Sequence, residues 1–537
     1  MNGKKLLSLI LAAVLLAGTL TACAPAQQPV TPAPPAAAGQ QAPAAQAPAA
    51  GTPAAAPAEP QPVIGRGVTV AVAVETPSVT PGRHSNLNGS FKNELSHNGL
   101  LRLDPGTLTP IPDLATGWRA LSDTQFEFTL REGVMFHNGD IMTADDVVAS
   151  FEYQRTYPFG GANHLSVYSI EAIDTHTVLI DTGEPNAMLF ADLTHHSNFI
   201  FPKSLIDAGY DFTINPVGTG PFVFSEWNHG NFLTYTRFDN YFDTERAANI
   251  EYVHWRFIPE GSSRTISLET GEIDLIMDVP SPDIPRLQEN PNVTVFSTTG
   301  ATFQYFMMNR ERLSFDNVYL RRAIDMAMDR EAMLMASLDG FGVPIHTAMP
   351  IIFPGASTAG TRAFDPEGAR ALIAEQGIDP AHLTFVINVV DEVQRRRAEV
   401  AQANLADVGI TVSINQLEGA TSTDLQRAGD FDSAFANLTF TNILSFYRSV
   451  YHHEGIGNLN RARVNDPELS ALIDTAIATV DENARIAILE QISEIVNENV
   501  WLFGTNMNML FRAFDANLTV PEISGIGNMN FHRVYWN

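Results

Sequence analysis

The chain has 14 histidines, one cysteine and 60 acidic residues, yet their spacing offers little catalytic chemistry. Histidines adjoin only at His195-His196 and His452-His453. Neighbours on a strand face opposite ways, so such pairs seldom supply two metal ligands, and no metal site is expected. With Cys23 as the sole thiol, neither an intrachain disulfide nor a cysteine metal cluster can form. Asp145-Asp146 has the form of an acid pair, but Thr143-Ala144-Asp145-Asp146 reads as a helix capping box. Gly218-Thr219-Gly220-Pro221 has the outline of a phosphate loop. A dinucleotide fingerprint needs Gly-x-Gly-x-x-Gly opening a helix, whereas Pro221, Phe222, Val223 and Phe224 predict a turn into a strand. Neither Gly-x-Ser-x-Gly nor His-Glu-x-x-His occurs. The expectation is a protein that binds, not an enzyme, with no cofactor. A secreted hydrolase is the weaker alternative.

Cys23 bears on location. Lys4-Lys5, an apolar run from Leu6 to Gly18 and small residues before a cut site form a secretory signal peptide over residues 1–22. That run is shorter than the roughly 20 apolar residues a membrane-spanning helix needs. Leu20-Thr21-Ala22-Cys23 resembles the lipobox of bacterial lipoproteins, which implies diacylglycerol on the Cys23 thiol. Residues 23–63 are almost wholly Ala, Pro, Gln, Thr and Gly. Such a stretch cannot bury enough apolar surface to offset the entropy of ordering, and it predicts a tether. At about 3.1 Å per residue in polyproline II it would reach on the order of 120 Å. The net charge of -28 argues against nucleic acid, which selects basic surfaces.

The remaining body is long enough for more than one core. Phe126, Phe128 and Leu130 alternate with polar residues and predict a half-buried strand. His137-Asn138-Gly139-Asp140 predicts a turn. Leu320, Ala323, Ile324 and Ala327 lie at helical spacing after Asp316. Asp365-Pro366 opens a helix that Gly377 closes. A helix through Val400 and Leu405 ends at Gly409 and leads into a strand at Ile410, Val412 and Ile414. Further helices begin at Asp466 and Asp481. Helices alternating with strands indicate an α/β fold.

Several blocks together resemble one family. Asp113-Leu114-Ala115-Thr116-Gly117-Trp118 is followed by Leu130-Arg131-Glu132-Gly133-Val134-Met135-Phe136-His137-Asn138-Gly139. Then come Thr143 to Phe151, Asn215-Pro216-Val217-Gly218-Thr219-Gly220-Pro221-Phe222, Leu268-Glu269-Thr270-Gly271-Glu272-Ile273-Asp274, Phe315-Asp316-Asn317-Val318, Arg322-Ala323-Ile324 and Asp329-Arg330. In this order they resemble family 5 extracellular solute-binding proteins, the oligopeptide, dipeptide and nickel binders of ABC importers. Most of these motifs are scaffold, and Trp118 and Phe136 are expected to fill core.

The resemblance implies a two-lobed periplasmic-binding-protein-like fold, type II, of the large cluster with an extra subdomain in lobe one. Lobe one is expected from 64–301 plus 509–537 and lobe two from 302–508, with a ligand cleft between. Crossings are expected near Phe303-Gln304-Tyr305-Phe306 and Gly504-Thr505-Asn506. The implied function is capture of a peptide-like or other small polar solute and its delivery to a membrane permease whose ATPase is on separate chains. The implied place is the extracytoplasmic face of the cell membrane, held by the lipid on Cys23. A surface sensor or adhesin on the same fold is an alternative. In peptide-binding members two backbone stretches pair with the ligand, and Asn86, Asn88 and Ser90, then Phe435, Ala436 and Asn437, match them. An aspartate that holds the peptide ammonium corresponds to Thr439, and a common tryptophan corresponds to Ala436. No acid lies between Asp432 and Glu454, so the charged anchor is missing. Tyr305, Phe440 and Asn442 complete the candidate ligand site, with Phe446 and Tyr447 as further aromatics.

Overall fold

The computed structural model describes residues 66–83, 87–157, 166–521 and 523–537. Cys23, the signal segment, the tether and Asn86 lie outside them, as do the side chains of Asn88 and Ser90.

Local expectations translate into elements. Strand Gln125–Leu130 forms with Phe126, Phe128 and Leu130 buried. It lies in a four-stranded antiparallel sheet with Ala115–Ala120, Ser169–Asp174 and Thr177–Asp181. Helix Ala144–Arg155 packs against it. Asp146 accepts from Thr143 N at 2.8 Å and from Lys203 N at 2.7 Å. That carboxylate is spent on backbone amides, which accounts for the acid pair structurally. Gly218 and Gly220 open strand Phe222–Asn228 through a turn. A Cβ on either would sit 2.3–2.4 Å from the carbonyls of Ser96 and Leu95, so only glycine lets the loop lie on the end of helix Leu87–Ser96. Helix Val318–Ala327 is capped by Asn317, one residue later than expected, because its side chain accepts from Tyr319 N.

The main sheet has 11 strands. In order they are Thr411–Gln416, Thr384–Val389, Ser433–Thr439, Val293–Met308, Leu502–Asp515, Leu275–Ile276, Val68–Val72, Tyr252–Phe257, Phe232–Arg237 and Phe222–Asn228, with Gly342–Pro344 beside Leu502–Asp515. The two long central strands pair antiparallel, with a register shift between Gln304 and Tyr305. Their ends belong to different cores. Val293 and Ala513 pack with Ala71 and Ile276. Further along, Phe303, Tyr305 and Met307 face one cluster while Phe306 and Met308 face another. This alternation is the period-two geometry of a strand buried on both faces.

Arg330 fastens the crossing. It is 1% exposed, pairs with buried Asp325, and donates to the carbonyls of Ile345 and Gly504 at 3.0 Å each. Two lobes joined through the central strands are the architecture of this molecule.

Candidate functional site

The floor of the site is the strand Ser433–Thr439. One edge pairs along its whole length with Val293–Met308, from Met308 opposite Ser433 to Thr302 opposite Thr439. The other edge pairs with Thr384–Val389 only at Ser433 and Ala434. Past Ala434 that edge has no strand partner among the described residues. Unpaired backbone on a strand edge is a template for an added extended chain.

Side chains along the floor divide by face. Tyr305 is 1% exposed, stacks on Phe303 with ring centres 5.3 Å apart, and burial pushes its phenol up to about 12. Phe435 packs on Phe306 at 5.1 Å, and Ala436 is buried beside Tyr305. Asn437 and Thr439 are exposed, and the Thr439 hydroxyl lies 2.9 Å from that of Thr302. Phe440 is half-buried and packs edge-on against Phe446. Phe446 and Tyr447 are core. Opposite Asn437 stands Gln304. Its Oε1 accepts from Arg397 Nη1 at 2.7 Å, and Ser337 Oγ accepts from Arg397 Nε at 3.1 Å. Arg397 is 1% exposed, its Nη2 has no protein partner, and burial lowers its guanidinium to about 10. It stands in the run Arg395-Arg396-Arg397, which the sequence does not separate from a solvated basic face. Arg395 and Arg396 do pair with Glu392, while the helical turn carries Arg397 inward.

The other matched stretch differs from expectation. Backbone from Leu87 onward is helical, so residues 87–90 do not present an extended edge. The helix they open runs to Ser96, and its end lies against Gly218 and Gly220.

A cavity of about 490 Å³ lies at Asn442, just past the end of the floor strand. One wall comes from the hairpin tip Leu108–Ile111, from Trp118 and from Phe190. The other comes from Phe353, Ile443, Leu444 and the segment around Val480 to Leu489. Asn442 is the one candidate residue in this lining; its Oδ1 caps helix Ile443–Val450 by accepting from Ser445 N at 2.7 Å. The walls touch where Ala187 N donates to Ile477 O at 2.7 Å. Trp118 does not fill core as expected: it is 38% exposed. It tilts against Phe190 at 5.3 Å, and Phe190 meets buried Phe126 edge-on at 5.3 Å. No local signal marks this wall, since its partners come from distant segments.

A smaller cavity of about 80 Å³ lies among Glu94, Arg102, Asp113, Arg246 and Asn528, too small for a solute. The histidine pairs serve turns: His195 Nδ1 accepts from Ser197 N, His196 Nδ1 from Gly82 N, and His452 Nδ1 from Glu454 N. Among the described residues no cluster of His, Cys, Asp and Glu is arranged to hold a metal ion.

Two lobes, one central sheet and a solute-sized cavity between distant segments define a periplasmic binding protein. Residues 109–458 match the family described as "Bacterial extracellular solute-binding proteins, family 5 Middle". The chain belongs to this family. It is similar to heme-binding protein A of Haemophilus influenzae, 28% identical over 444 residues, covering 76% of this chain and 80% of that protein. It is also similar to the probable D,D-dipeptide-binding periplasmic protein DdpA of Escherichia coli, 27% identical over 446 residues, covering 80% and 86%. Among solved structures, HbpA2 from Haemophilus parasuis superposes with a TM-score of 0.81 at 24% identity, over 88% of this chain and 99% of that one. Among the described residues no helix is long and apolar enough to cross a membrane.

Proposed function

We propose that this chain is the solute-capturing lipoprotein of an ABC importer, anchored through Cys23, with a peptide-like solute as its cargo. The carrying observation is the open strand edge beyond Ala434. An extended solute there would gain main-chain hydrogen bonds without a demand on side-chain identity. Lobe one, 64–301 with 509–537, and lobe two, 302–508, would close on it, and the closed population would dock on the permease. The names of relatives, which include di/tripeptide- and glutathione-binding proteins, support the cargo class.

With Thr439 in place of an acid, the solute's amino end has no ionic anchor. Arg397, which has no acid within ion-pair distance among the described residues, instead favours an anionic group of the solute near Asn437. Thermal shift with tri-alanine and its amino-acetylated form tests this: both should bind alike. Loss on acetylation sinks the missing-anchor reading. Cys23→Ser should release the protein to the medium, and continued membrane retention counts against the lipid anchor. Uptake lost on deletion distinguishes importer from sensor.

A further inference from the structure

We propose that the 490 Å³ cavity at Asn442, just past the end of the strand Ser433–Thr439, is a selectivity pocket for an apolar group of the solute, an aromatic or branched aliphatic side chain. The proposal rests on the solute-capture reading and narrows its cargo.

The volume is within the roughly 300–1,000 Å³ of small-molecule sites. Its chemistry is one-sided. Trp118 and Phe190 form one wall; Ile443, Leu444 and Leu489 form the other. Two of the polar groups present are already engaged. Arg485 Nη1 donates to the carbonyls of Thr479 and Val480 at 3.1 and 2.9 Å, and the Asn442 Oδ1 caps its helix. A polar solute group placed here would lose water with little in return, whereas an apolar one would gain about 25 cal/mol per Å² removed from water.

The indole of Trp118 is also unusual for its surroundings. Strand neighbours Phe126 and Phe128 are fully buried, yet Trp118 keeps an open face on the cavity. The hairpin tip completes the case. Leu108 has φ +56°, a left-handed conformation that costs a bulky residue energy. Asp104 holds it there: its Oδ1 accepts from the amides of Gly106 at 3.0 Å and Thr107 at 2.8 Å, and its carbonyl accepts from Leu108 N at 2.9 Å. So held, Leu108 is 7% exposed and packs with the core of the opposite lobe. Strain of this kind persists where surrounding structure over-determines it, as at ligand clamps.

The test uses the mature chain and three probes: Ala-Phe-Ala, Ala-Ser-Ala and indole. Calorimetry should give Ala-Phe-Ala at least a ~10-fold advantage over Ala-Ser-Ala, which is about 1.4 kcal/mol. Saturation-transfer NMR should detect indole in the absence of peptide. Ala191→Trp, at a partly buried position on the cavity lining, should abolish the preference and the indole signal. Trp118→Ser is the second variant, at an exposed ring, and should reduce the preference. Equal affinity for the two peptides, or an indole signal untouched by Ala191→Trp, overturns the pocket and leaves solute capture standing. If neither peptide binds, the peptide reading falls instead, and the indole result still decides the pocket.

Discussion

The floor and the side cavity offer a solute opposite kinds of contact. Hydrogen-bonding side chains stand along the floor, Asn437 and Thr439 on its strand and Gln304 on the paired one, with Arg397 bonded to Gln304. Their directions are set by the sheet, so they orient a ligand without selecting its side chains. The cavity has mainly apolar walls drawn from distant segments. It rewards area, not direction. A binder of this kind can accept many backbones at the floor while choosing among them at the side.

The largest expected effect is on the floor's frame. Arg330→Ala leaves Asp325 buried without its cation and frees two crossing carbonyls. The expected loss is about 3–5 kcal/mol, read by urea unfolding. A loss below 1 kcal/mol would show that the crossing does not depend on this pair.

Next is the floor's charge. Thr439→Asp supplies an acid at an exposed position beside the strand edge. Peptides with a free amino end should gain roughly 10-fold or more over their acetylated forms, since hydrogen bonds to charged groups contribute about 1.5–3 kcal/mol. If calorimetry finds no such split, the solute's amino end lies elsewhere.

The loop that supports Leu108 gives a pH test. Gly525 O accepts from Ala301 N at 2.8 Å, and Asn528 in the same loop donates to Glu94. Burial, with Asp113 nearby, raises the Glu94 carboxyl to about 7, while Asn528 and Arg102 oppose that rise. The folded state therefore retains a proton that the unfolded chain releases near its ordinary carboxyl value. Stability from this group falls as pH rises from about 4.5 to about 7, by on the order of 1–3 kcal/mol, and is flat above. Glu94→Gln should be more stable than the parent at pH 8 and nearly equal at pH 4.5. A difference independent of pH would remove Glu94 as the cause.

The smallest effect is on the cavity side. Asn442→Ala removes a helix cap and should cost about 1 kcal/mol. The Phe-over-Ser preference should persist, because the cap's oxygen is turned to Ser445. Loss of that preference would make Asn442 a ligand group.

Much of the fold was legible from contacts a few residues long. Asp365, Asp466 and Asp481 each cap the helix that follows, through amides two to three residues on. The period-two strand at Gln125 and the turn before Phe222 are equally local. That no acid stands between Asp432 and Glu454 was visible as residue types. Tyr305 and Phe435 were not placed so easily: an aromatic on a strand beside a cleft has the same letter whether it faces core or solvent. Arg397 and Trp118 carry the same lesson in reverse. One was a basic residue in a basic run, the other an aromatic in a scaffold motif, and folding sent the first inward and left the second open.

Capping, turns and periodicity depend on neighbours along the chain, so composition and order sufficed to place helices, strands and the family scaffold. The cavity could not be read that way. Leu108, Trp118 and Phe190 meet Ile443, Leu444 and Leu489 only after the chain has run through the central strand Val293–Met308. Which side chains face that space is a matter of packing between distant segments, and a linear pattern does not encode it.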